Sequence, residues 1–169
     1  MKLIDCDGYG VELAVADYQF PEHTDPRIRY SWLVIAGSAY CPLGNWSFRW
    51  QALTLDDAVE LGHWLRRLAE HDIGAVDGRD GTAGAAKLAF TEPNLTFASG
   101  RCAEGDIDLH IGLDLEFSPP WRKRTSAGDP SVVTVRLAPQ AVATAAAEWT
   151  AEVDGYLPPG GRLPRWTAR

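Results

Sequence analysis

Four carboxylates and one imidazole recur at every second position of a single short stretch: Asp106, Asp108, His110, Asp114 and Glu116, with Gly112 filling the remaining step. On an extended strand such residues share one face, about 6.6 Å apart. Two unit charges at that distance in water repel by only about 0.6 kcal/mol, so the row is tolerable on a wet surface. The same spacing overlaps the roughly 6.5 to 9.5 Å that separates the two acids of an inverting glycosidase, but any alternating acidic strand would match it. Calcium requires several oxygens within about 2.6 Å of one ion, which a flat row does not supply. His110 among carboxylates suits a general base or a metal ligand, although no Ser, Cys or second His is visibly arranged around it. Neither a catalytic residue, a metal nor a cofactor is expected. The row reads as a solvated face, a protein-binding surface or a guard against edge-to-edge pairing, with a metal-dependent or small-ligand site around His110 as the alternative.

The elements that must hold this row follow from the residues between the acids. Ile107, Leu109, Ile111, Leu113, Leu115 and Phe117 take the odd positions, so 106–117 is expected as one strand with an apolar inner face. An antiparallel sheet half covered and half wet gives this alternation. Gly10 to Tyr18, with Val11, Leu13 and Val15 on one face, Tyr30 to Ala36, with Tyr30, Trp32, Val34 and Ala36 likewise on one face, and Asn45 to Gln51 read as further strands, the first two joined by a Pro- and charge-rich turn around Pro21 and Pro26. Lys87 to Thr91 and Asn94 to Ser99 form a hairpin turned by Glu92-Pro93, and Val132 to Leu137 closes the series. Thr54 and Asp57 form an approximate capping box for a helix reaching about Glu70, with a stripe of Leu55, Ala58, Val59, Leu61, Leu65, Leu68 and Ala69. A second helix covers about Pro139 to Asp154 and presents Val142, Ala145, Ala146, Trp149, Val153 and Tyr156. The expected fold is α+β: about eight antiparallel strands with two amphipathic helices on the apolar face. The order of four strands and a helix, then four strands and a helix, hints at a duplicated ββββα unit.

At 169 residues the chain is long enough for one good core and short for two, so residues 1–169 are expected as a single domain. The irregular Pro- and Gly-rich tail spans 157–169. A net charge of -7 disfavours nucleic acid and anionic lipid, which attract basic patches, and suits a basic partner. Cys6, Cys41 and Cys102 are odd in number and lack metal-ligand spacing, and Met1 to Asp5 carries no signal-peptide core. The expectation is a cytoplasmic protein without a membrane span.

Other features carry less. His63 and His71 lack the i, i+4 spacing of a zinc helix. The Gly-rich run Asp77 to Gly84 lacks the ending of a P-loop and reads as a connector. Trp46, Phe48 and Trp50 share one face and are expected as core, with a stacking platform for a ligand as the alternative. Trp121 lies in a long loop beside Arg122, Lys123 and Arg124, where it could anchor a partner, fold back on the sheet edge or act as a lid.

Three segments in order carry a resemblance: Trp50-Gln-Ala-Leu53-Thr54 with its helix, the hairpin Phe90-Thr-Glu92-Pro93-Asn94-Leu95-Thr-Phe97, and Leu115-Glu-Phe117-Ser-Pro-Pro-Trp121. With the closing strand, helix and Leu157-Pro158, the chain resembles the WapI-like immunity proteins of bacterial contact-dependent toxin systems from about Trp32 to Pro158. The resemblance implies a small cytoplasmic protein that binds and neutralises a cognate toxin domain, without a cofactor or a reaction of its own. Physics, not the resemblance, selects the contact residues: Asp106, Asp108, His110, Asp114 and Glu116 as a steering face and Trp121 as an anchor.

Overall fold

The computed structural model describes residues 1–70, 86–101, 105–122 and 130–160. The first half runs β1 (Lys2–Ile4), β2 (Gly10–Tyr18), the short helix α1 (Pro26–Arg29), β3 (Trp32–Cys41), β4 (Gly44–Thr54) and α2 (Leu55–Ala69). The second runs β5 (Ala86–Ala89), β6 (Leu95–Arg101), β7 (Ile107–Leu113), a 3-10 turn over Leu115–Phe117, β8 (Ser131–Leu137) and α3 (Pro139–Asp154). The strands form two four-stranded antiparallel sheets in simple sequence order, β1-β2-β3-β4 and β5-β6-β7-β8. The α+β fold is therefore as expected, and each half is a ββββα meander. The fourth strand of the first half is β1, to which alternation alone assigned no range. No helix among the described residues is long and apolar enough to cross a membrane.

α2 starts where its cap dictates. Thr54 Oγ1 accepts from the Asp57 amide and Asp57 Oδ2 accepts from the Thr54 amide, each at 3.0 Å. Leu55, Ala58, Leu61, Leu65 and Leu68 are buried as the stripe requires, joined by Trp64, which packs on Phe97 of the second sheet. Gly62 is buried because a Cβ there would stand 2.9 Å from Thr150 Oγ1, so it sets the close approach of α2 to α3. Trp149 Nε1 donates to the Ala58 carbonyl at 2.7 Å across the same junction. Both sheets and both long helices share one apolar core.

α3 also reaches back to the first sheet. β2 carries a bulge between Val15 and Asp17. Backbone groups at the bulge are satisfied by α3 and the turn after it: the Val15 amide donates to Glu152 Oε1 of α3 at 2.8 Å, and Tyr156 Oη, two residues past the helix, donates to the Val15 carbonyl at 3.0 Å. Tyr18 donates its hydroxyl to the Tyr156 carbonyl beside them.

Several expectations need correction. The strand read over 106–117 stops at Leu113. Asp114 bends the chain by accepting the Leu115 amide on its own side chain, and Leu115 adopts φ of 49°, which no strand continues. Leu115 is consequently only half-buried, while Phe117 still reaches the core. β3 starts at Trp32 rather than Tyr30, and Leu33, Ile35 and Ala39 face the core while Trp32, Val34 and Ala36 face the other way. Both faces of that strand are apolar, so alternation did not decide between them. Trp46 and Phe48 are core, but Trp50 is 50% exposed at the sheet edge, two residues before a register shift that leaves Ala52 without a partner on β3. The expected connector Asp77–Gly84, His71, Cys102, Lys123, Arg124 and the tail from residue 161 onward lie outside the described residues; Leu157 to Gly160 form turns.

Candidate functional site

β7 positions the first part of the acidic row. Ile107, Leu109, Ile111 and Leu113 are buried, which turns Asp108 and His110 outward. The register sets Asp108 opposite Arg136 and His110 opposite Thr134 on β8. Arg136 Nε donates to Asp108 Oδ1 at 2.9 Å and its Nη2 to Oδ2 at 3.4 Å, while His110 Nδ1 lies 3.0 Å from Thr134 Oγ1. The Arg136 side chain is 56% exposed, so the pair contributes at most about 1 kcal/mol. On the β6 side these residues face Gly100 and Ala98, and Lys87 of β5 lies opposite Ala98. This face is therefore charge-balanced rather than acidic. Asp106 is half-buried just ahead of β7.

The remaining acids leave the strand face. Asp114 caps the 3-10 turn through the Leu115 amide at 2.8 Å, and its own amide donates to the Asn94 carbonyl at 3.0 Å. Glu116 is exposed, and its Oε2 accepts from the side-chain Nδ2 of the buried Asn94 at 2.9 Å. The structure thus divides the row, with Asp108 and His110 on the sheet and Asp114 and Glu116 on the corner that follows.

That corner carries the aromatic residue. Trp121 is 46% exposed, yet its ring meets Trp46 edge-on with centroids 5.4 Å apart. A Cβ on Gly44 would stand 3.1 Å from its Cη2, and Gly44 has φ of 140°, so a glycine is required there both for the turn and for the ring's seat. Beneath, Trp46 Nε1 donates to the Phe117 carbonyl at 2.8 Å and Phe117 stacks on Phe48 at 4.2 Å. Leu43, in the same turn as Gly44, is 83% exposed. Alternation does not mark Leu43; its place between Pro42 and Gly44 was the available signal, since a hairpin tip leaves a side chain in water. Among the described residues no group of three or more His, Cys, Asp or Glu side chains is placed to hold a metal ion.

The corner and the strand face both lie within the segment that one family model covers. The model of the immunity protein WapI-like family matches residues 2–157. The chain belongs to the WapI-like immunity protein family. The WapI-like match takes in both ββββα units, including β1 and β2, which lie ahead of the resemblance read from Trp32, and it stops at the turn that follows α3. No curated protein matches the chain.

Proposed function

We propose that this WapI-like chain neutralises a bacterial toxin by binding its catalytic domain stoichiometrically in the cytoplasm, with no reaction or cofactor of its own. The observation that carries this is the family match across both units. The contact surface is centred on Trp121, which seats on Gly44, and takes in the exposed Leu43 that precedes this glycine in the turn. Trp121 supplies area at little entropic cost because Trp46 and Gly44 already hold it. Asp114 and Glu116 belong to the 3-10 corner that precedes Trp121 in the chain, and Asp106, Asp108 and His110 lie on β7 or just ahead of it. With a net charge of -7, the whole molecule draws in a basic toxin domain before the apolar contact forms.

The test is co-expression. A toxin catalytic domain from the same genome is induced in a bacterial host with and without the chain. Growth restored by the wild type, and lost again with Trp121→Asp at equal protein level, supports the proposal. A host killed equally fast in the presence of abundant folded wild-type chain would sink it.

A further inference from the structure

α2 and α3 enclose a slot of about 180 Å³. It is lined by the apolar Ala58, Val59, Val153 and Leu157 together with His63, Thr150 and Asp154. Its walls are preformed, since the Gly62–Thr150 approach and the bond from Trp149 Nε1 to the Ala58 carbonyl fix the helix spacing. The volume is below the roughly 300 Å³ at which cofactor sites begin, and it suits a single long side chain.

The charge in the lining breaks a local rule. Asp154 is the last residue of α3, and that helix has no basic residue in its final turn. A carboxylate there adds to the negative end of the helix dipole, which ordinarily favours Lys or Arg. Its neighbour Glu152 is occupied by the Val15 amide, whereas the exposed Asp154 carboxylate has no hydrogen bond or ion pair among the described residues. Beside Asp154 on α2 lie the His63 imidazole at the slot and Arg66, which lines the adjoining groove with Glu70 and Asp154 itself, and among the described residues neither bonds to Asp154. A largely apolar slot lined by a carboxylate that forms no hydrogen bond or ion pair among the described residues matches an aliphatic stem carrying a positive head.

We propose that this slot receives a lysine or arginine side chain of the toxin domain, its stem on Val59, Val153 and Leu157 and its charge on Asp154. The proposal rests on the immunity function above and adds a contact on the helices, separate from the Trp121 corner. Asp154 is then retained against helix stability for the sake of binding.

Two titrations test it. In the first, the methyl resonances of Val59 and Val153 are followed as n-pentylammonium or uncharged 1-pentanol is added. The ammonium should shift them at millimolar concentration in the wild type but not in Asp154→Asn, and 1-pentanol should shift them less. Equal shifts by 1-pentanol, or shifts unchanged in Asp154→Asn, overturn the proposal. In the second, the toxin domain used in the co-expression test is titrated into the wild type, Asp154→Asn and Asp154→Lys. Affinity should fall about three- to tenfold and more than about tenfold respectively, while Tm rises by about 1–3 °C in both as the adverse charge is removed. Wild-type affinity in Asp154→Lys overturns the slot and leaves the immunity function intact. Absence of binding by the wild type overturns both, even where the ammonium still marks the slot.

Discussion

Trp121 is half in water and yet fixed, and that combination defines an anchor. Removing its ring leaves Trp46 and Gly44 at the surface without disturbing the bond from Trp46 to the Phe117 carbonyl. Trp121→Ala should therefore weaken toxin binding by at least about tenfold while lowering Tm only slightly, as calorimetry and a melting curve would show. A large drop in Tm would recast Trp121 as core. Tyr18 provides a pH probe of the fold. Its burial first, then the neighbouring Tyr30 and Tyr156, push its pKa up to about 12. The folded state thus holds the neutral phenol, whose contribution is full below the unfolded value of about 10 and is lost as pH rises through about 12. Between those values the wild type should lose more stability than Tyr18→Phe in parallel denaturant titrations. Asp108 and Asp114, alike in the sequence, prove different: one is paired with Arg136 and the other caps a turn. Charge reversal at Asp114 would therefore damage the turn as well as any binding, whereas Glu116→Lys changes charge at an exposed position.

At the scale of elements, much was legible and the failures have causes. The Thr54–Asp57 box and the leucine stripe fixed α2 to within a residue, because cap chemistry and helical period are local. Pro139 and the alanine-rich stripe did the same for α3. Thr54→Ala should cost about 1 kcal/mol in chemical denaturation, and Leu65→Asp should prevent folding, since it places an unpaired charge at a position with 0% exposure. The end of β7 was not legible, because Ile107 to Phe117 alternates past the point where Asp114 finds a local hydrogen bond. The inward face of β3 was hidden by apolar residues on both sides. Nor could alternation reveal that Trp121 seats on Gly44, a contact between residues far apart in the chain.

At the scale of the whole molecule, the two ββββα units depend on one another. α3 and the turn after it satisfy the bulge of β2, and Trp64 of α2 packs on Phe97 of β6. We take residues 1–169 as one domain, and calorimetry should show a single cooperative transition; Glu152→Ala, which strips the Val15 amide of its partner, should lower its midpoint by several degrees. Residues 1–70 expressed alone should lack dispersed amide resonances, because their buried face would be left without the second sheet and α3. The immunity function makes the sharpest demand on the intact molecule. Calorimetric titration of the full chain with the catalytic domain of the toxin used in the co-expression test should give a one-to-one complex that abolishes the domain's activity and weakens as salt rises from about 0.15 to 0.5 M. A folded, active toxin domain that gives no complex and keeps its full activity in excess chain would contradict it.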